Sequence, residues 1–157
     1  MSVCYMFVTF IQRFESQVLQ KPNNKAIYCP QENLYLNYIT LNLYASRVAH
    51  HLSVLGVKAN DIVGFTSDKT INSYIIVLAL LKIGVTILPL DLSYPYDYLE
   101  FIIQDAKLSH IVSNKNLSEQ FTNSANNLHI ISLEEFLQNI NNYTLDINST
   151  ANKITYN

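Results

Sequence analysis

Tryptophan is absent from this 157-residue chain, glycine occurs three times, proline four times and cysteine twice. Each scarcity removes a class of function. A loop that cradles phosphate needs glycines that let the backbone approach an anion, usually just before a helix. Here Gly56, Gly64 and Gly84 stand apart from one another. No G-x-G-x-x-G, G-x-x-x-x-G-K, H-E-x-x-H or C-x-x-C occurs. Cys4 and Cys29 have no metal-site spacing. They read as reduced thiols of a cytosolic protein, with a disulfide between them as the alternative. An excess of one charge is also lacking. The net charge is −2 and lysine and arginine form no stripe, so no nucleic-acid partner is expected. The most hydrophobic run, Tyr74 to Leu90, is interrupted by Lys82, Gly84 and Pro89. It is shorter than the ~20 residues that span a bilayer. Met1 to Ile11 is apolar but lacks the basic start and small-residue cleavage site of a secretory signal. No membrane partner and a cytoplasmic location are therefore expected.

What is present is hydrophobic periodicity. Nearly half the residues, 49%, are hydrophobic, enough for one domain with a sizeable core. Phe7, Phe10, Ile11, Phe14 and Val18 predict a helix over about Val3 to Gln20. Ala26 to Cys29 and Leu34 to Leu36 predict two short strands joined as a hairpin. Asn37 is a good N-cap for a helix whose apolar face is Leu41, Ala45, Val48, Ala49, Leu52 and Leu55. Gly56 would end it in a left-handed conformation. Ile62 to Phe65 predicts a strand. Ser67 or Asp68 then caps a helix from about Lys69 to Ile83, apolar on most sides and so expected to be packed deeply. Gly84 ends that helix. Val85 to Leu90 predicts a strand buried on both faces of a parallel sheet. Pro95 is placed as the first residue of a helix with Leu99, Ile102, Ile103 and Ala106 on its apolar face. His110 to Ser113 and Leu128 to Ile131 predict further strands. A short helix is expected around Leu117 to Phe121, and another through Ile140, opened by a capping box at Ser132 and Glu135. Helices alternating with strands predict an α/β fold built on a mostly parallel sheet with flanking helices. Residues 1–140 form the expected domain, and 141–157 an Asn-rich, poorly ordered tail.

Candidate chemistry is sparse. Asp91 follows a strand, where α/β sheets place ligands, and is the best candidate for a polar site. The favoured reading of it is a turn-stabilising or helix-capping carboxylate. His50-His51 is the only histidine pair, but adjacent residues on a helix point about 100° apart, so the rings cannot share a metal. Glu134-Glu135 falls in a helix first turn, where the dipole favours acids. Tyr94, Tyr96 and Tyr98 scatter around a helix and carry no joint site.

Leu81-Lys82-Ile83-Gly84-Val85-Thr86-Ile87-Leu88-Pro89-Leu90-Asp91, followed by Ser93-Tyr94-Pro95, closely resembles the L-K-A-G-x-x-Y-x-P-L-D-x-x-Y-P motif of adenylate-forming enzymes. Phe14-x-x-Gln17, Pro22 and Ala26-Ile27 are similar to the start of adenylation domains from nonribosomal peptide synthetases. Leu36 to Leu41 stands where that family shows L-T-Y-x-E-L. Ala45, Leu52, Gly56-Val57, Asp61, Val63-Gly64, Asp105-Ala106 and His110 to Val112 follow in order. Thr40, Ile83, Leu92 and Tyr98 depart from the usual Glu, Ala, Pro and Arg. The resemblance implies an incomplete N-terminal portion of the adenylate-forming fold, truncated before the Ser/Thr/Gly-rich ATP loop. It implies ancestry in ATP-dependent activation of an amino acid, with ATP and magnesium used by the complete family. No catalytic, cofactor-binding or metal-binding residue carries over onto this chain, so it is expected to be inactive alone. Its expected partner is a second chain carrying the rest of the domain, with self-association possible. The alternative is a non-catalytic remnant or interaction module.

Overall fold

The computed structural model describes residues 9–66, 68–115, 117 and 128–139. The helix expected over residues 3–8, the cap at Ser67, most of the short helix around Leu117 to Phe121, Ile140 and the tail 141–157 lie outside the described residues. The elements run α1 (Phe10–Gln20), β1 (Lys25–Cys29), β2 (Leu34–Asn37), α2 (Tyr38–Val54), β3 (Ile62–Phe65), α3 (Ile71–Ile83), β4 (Thr86–Pro89), α4 (Tyr96–Asp105), β5 (His110–Ser113) and β6 (His129–Ser132). A last helix, α5, covers residues 134–139. They divide between two compact units, Met1–Ala59 with Lys69–Val85, and Asn60–Asp68 with Thr86–Asn157.

The first unit is helical, with one hairpin. Thr9 caps α1 reciprocally with Gln12: the hydroxyl accepts from Gln12 N at 3.2 Å and the Gln12 amide oxygen accepts from Thr9 N at 2.8 Å. Two orphan donors of the first turn are thereby satisfied, and the helix starts at Phe10. β1 and β2 pair antiparallel, with Cys29 opposite Leu34. Asn37 caps α2 as predicted, accepting from Thr40 N at 2.9 Å. Leu41, Ala45, Val48 and Leu52 are buried, joined by Tyr44. Leu55, expected on that face, is instead the C-cap and 46% exposed. Gly56 follows at φ +102°, where a side chain would be strained.

α2 packs chiefly against α3. The expected start of α3 at Lys69 needs correction. Lys69 has φ +62°, which no helical residue adopts, and Thr70 is the N-cap. Thr70 makes no side-chain cap. The first helical N–H, from Ile71, is accepted by Glu32 at 2.7 Å, across 39 residues of sequence. A cap supplied by the β1–β2 turn leaves no signature in the local sequence. Gly84 ends α3 at φ +85°, as expected.

The second unit is a four-stranded parallel sheet in the order β4-β3-β5-β6. α4 lies on one face. Its Leu99 and Ile103 join Leu90, Leu108, Ile111 and Leu117 in one buried cluster, with Ile102 and Ala106 packed alongside. Gly64 in β3 is required by this packing: a Cβ there would lie 2.8 Å from Leu90 and 3.1 Å from both Leu108 and Ile111. Three expectations are revised. The strand predicted as buried on both faces is β4, which lies at the sheet edge with its residues half-buried or exposed. The interior role falls to β5, buried throughout. Apolar content reported burial correctly for Val85 and Leu90, which flank β4, but could not give strand order. Pro95 is the N-cap of α4 at ψ 145°, one residue before the helix. Likewise α5 begins after Leu133, whose carbonyl accepts from Leu137 N at 2.9 Å. Ser132 instead ends β6.

Candidate functional site at the carboxyl edge of the parallel sheet

The strand order contains one reversal. The chain leaves β3 for β4 on one side and leaves β5 for β6 on the other. Adjacent parallel strands whose connections diverge open a crevice at their carboxyl ends, where open α/β sheets place ligands. The residues that stand there are Thr66 and Asp68 after β3, and Ser113, Asn114 and Lys115 at and after β5.

These groups bind one another. The Thr66 hydroxyl donates to Ser113 Oγ at 2.9 Å, and both side chains are buried. Lys115 N–H donates to the same Oγ at 3.0 Å, filling both acceptor positions of the Ser113 hydroxyl. The Asn114 amide donates to Asp68 Oδ2 at 2.7 Å, and the Lys115 ammonium lies 3.7 Å from the same oxygen. The cluster latches together the two loops that frame the crevice. A hydroxyl becomes a nucleophile when a base accepts its proton, and among the described residues the Thr66 and Ser113 hydroxyls meet each other and the Lys115 N–H. The arrangement can position and polarise.

Asp91, the best candidate from sequence, follows β4 as expected. Its carboxylate accepts from Ser93 N at 2.9 Å and its carbonyl from Tyr94 N at 3.2 Å, the turn-stabilising role. Tyr94 and Tyr98 meet edge to face with centroids 5.3 Å apart, on an exposed surface. Glu134 and Glu135 are exposed in the first turn of α5. His50 is exposed and His51 half-buried on α2.

Sequence reasoning took His50-His51 for the only histidine pair, and the sheet makes another. Parallel register sets His110 opposite His129, and the rings stack with centroids 5.5 Å apart. His110 is buried, with Nδ1 2.8 Å from Ser109 Oγ. Burial chiefly, then the neighbouring His129, lowers its pKa from 6.5, while Asp61 opposes them. The pair lies at the amino end of its strands, about 10 Å along β5 from the crevice at 3.3 Å per residue. No sequence signal marks it, because register is a tertiary outcome. The crevice residues did carry a signal: they are polar and directly follow predicted strands, the criterion that singled out Asp91.

Among the described residues the glycines form no phosphate cradle. Gly56 and Gly84 sit at helix C-termini, the negative end of the dipole, and Gly64 faces apolar side chains. Among the described residues no group of three or more His, Cys, Asp or Glu side chains could hold a metal ion. Cys29 is a free, buried thiol. No described helix is long and apolar enough to cross a membrane.

The first unit holds a separate feature, a half-open apolar cavity of about 430 Å³. Phe10, Arg13 and Phe14 of α1 form one wall and Tyr74, Val77 and Leu81 of α3 another.

A family profile described as AMP-binding enzyme matches residues 14–153. Gramicidin S synthase 1 of Brevibacillus brevis is 36% identical over 109 residues, which are 69% of this chain and 10% of that protein. Tyrocidine synthase 1 of Brevibacillus parabrevis is 33% identical over 141 residues, 90% of this chain and 12% of that protein. The N-terminal subdomain of Klebsiella oxytoca NpsA, solved in complex with 3-hydroxyanthranilyl-AMSN, superposes with TM-score 0.73 at 22% identity. That likeness covers 89% of this chain and 35% of the NpsA chain. This chain thus spans a small part of the curated relatives it matches.

Proposed function

The chain belongs to the AMP-binding enzyme family, and from that premise we propose that it is the N-terminal part of an adenylation domain. The complete domain would activate an amino acid as its adenylate at the expense of ATP. The observation that carries this reading is the family match over residues 14–153, collinear with the L-K-x-G…P-L-D…Y-P stretch that links α3, β4 and α4. In this reading the chain supplies scaffold. Its parallel sheet and latched carboxyl edge brace the fold, while ATP and magnesium are held by polypeptide beyond the described residues. The described residues by themselves do not adenylate; activity needs the polypeptide that carries the rest of the domain, in the cytoplasm.

The test is ATP–pyrophosphate exchange with the twenty amino acids. The chain is assayed alone and after co-expression with the stretch of tyrocidine synthase 1 that continues past the region matched here. Exchange only in the co-expressed sample is expected. Exchange by the chain alone contradicts the scaffold role, and none in either sample removes the catalytic reading.

A second reading, a non-catalytic interaction module, is favoured by the apolar cavity between α1 and α3. Size-exclusion chromatography separates it from an inert remnant: a remnant elutes as a clean monomer, an interaction module as an assembly.

A further inference from the structure

The amino end of the parallel sheet carries two imidazoles that the crevice does not use. Register sets Val63 of β3, His110 of β5 and His129 of β6 side by side. His110 is 8% exposed, whereas its neighbour His129 is open to solvent. The rings stack 5.5 Å apart with 27° between their planes. Burial penalises the charged form of an imidazole, so His110 is held neutral. Two neutral rings at this distance pack as flat apolar plates. Two charged rings repel, and like charges directly opposite one another on neighbouring strands destabilise their pairing. Among the described residues, the charged groups that act on His110 are His129 and, from the turn before β3, Asp61, which attracts a charge on the ring. Val63, on the other side, is buried and apolar. One carboxylate therefore answers two imidazoles. Ser109 Oγ, 2.8 Å from His110 Nδ1, donates to the neutral ring or accepts from the charged one, and so favours neither state.

The two ends of the β5–β6 ladder are held differently. At the amino end the His129 N–H donates to the Ser109 carbonyl at 2.9 Å, next to the ring pair. At the carboxyl end the Leu133 N–H donates to the Ser113 carbonyl at 2.8 Å. There Ile131, Leu133 and Leu137 are buried, and the burial of aliphatic side chains does not change with pH.

We propose that the His110–His129 pair is a pH-sensitive clasp: when both rings carry a proton, their charges part the amino end of the β5–β6 ladder, while the end at Leu133 stays closed. Histidine clusters serve as pH sensors because the ring changes charge between about pH 5 and 8. The direction follows from burial. His110 is harder to protonate than an ordinary histidine, through burial first and His129 second. The closed clasp is fully favoured above the ordinary histidine pKa, and its advantage falls as pH drops through the lowered value. The clasp operates whether or not the chain takes part in adenylation.

Hydrogen exchange of the intact chain, followed amide by amide, tests the clasp. Protection of the His129 and Leu133 N–H groups is measured at about pH 7.5 and at steps below about pH 6.5, the ordinary histidine value, each corrected for the intrinsic pH dependence of exchange. Protection at His129 is expected to fall several-fold on acidification while that at Leu133 holds. His110→Gln should abolish the fall. His129→Gln, at an exposed position, should reduce it, because His110 then charges without a like charge beside it. Unchanged protection of His129 in the wild type overturns the proposal. So does an equal fall at Leu133, which reports loss of the whole strand and not of one end. If circular dichroism shows that His110→Gln disturbs the fold, His129→Gln decides: a fall smaller than in the wild type supports the clasp, and a fall as large overturns it.

Discussion

The two units of this protein handle their polar and apolar groups in opposite ways. In the parallel-sheet unit the buried hydroxyls of Thr66 and Ser113 satisfy each other, and α4 closes a continuous apolar cluster over the sheet. In the helical unit Asn42 and Asn72 each hold a buried amide oxygen without a hydrogen-bond partner among the described residues, and an apolar groove stands open beside α3. The difference teaches that polar satisfaction and apolar cover are achieved separately in the two units. The sheet unit carries the crevice where α/β folds place polar ligands, but its groups are spent on one another. Among the described residues the helical unit shows an apolar cavity in place of a polar cluster.

The comparison can be broken at its cores first. Ile75→Ala in α3 and Ile111→Ala in β5 each remove a fully buried side chain. Each should cost about 2–5 kcal/mol by urea denaturation. Val77→Ala, on the groove wall, should cost about 1 kcal/mol or less. A Val77 cost equal to that of Ile75 would mean that the groove is closed in the isolated chain. Next is the latch. Ser113→Ala strips the acceptor from Thr66 and from Lys115 N–H and should cost about 1–3 kcal/mol, as for stranding buried donors. Hydrogen exchange should show faster opening of the loops after β3 and β5. An unchanged exchange pattern would demote the latch to a surface contact.

Smaller still is the long-range cap. Glu32→Ala frees Ile71 N–H and should cost about 0.5–2 kcal/mol, the range of a lost N-cap. Protection should fall in the first turn of α3, and a full loss of protection throughout that helix would show that more than a cap had gone. The smallest effect is pH dependence of the sheet unit. His110 has a folded pKa below 6.5, so the unfolded chain takes up its proton first as pH falls. The stability contributed by the neutral ring is complete above 6.5 and is lost as pH drops through the lowered folded pKa. His110→Gln should flatten the decline of the urea midpoint over the interval just below about pH 6.5, the ordinary histidine value. A wild-type midpoint that holds constant over that interval would contradict the assignment.

Local signals were legible where one element carries its own instruction. Asn37 caps α2 because its side chain reaches Thr40 N three residues on. Gly56 and Gly84 end helices because only glycine takes left-handed backbone without strain. The α4 face of Leu99, Ile102, Ile103 and Ala106 follows from the 3.6-residue repeat. The Asp91 turn lies within four residues. The family resemblance is of the same kind, an ordered string of short motifs. The misses share a different cause. Whether Thr86 to Pro89 is central or at the edge depends on strand order. The cap of α3 comes from Glu32, far back in the chain, and α3 cannot begin at Lys69 once that residue turns left-handed.

The sequence by itself determined the alternation of helices and strands, the glycines that close α2 and α3, and the family, because each follows from residue type and spacing along the chain. Only the tertiary structure decided which polar residues meet. Asp68 finds Asn114 and Lys115, and His110 finds His129, because parallel strands join residues whose separation along the chain is set by the intervening helix and loops. It also decided which side of α3 is left uncovered among the described residues, since composition states that a helix wants cover and only packing states which side lacks it.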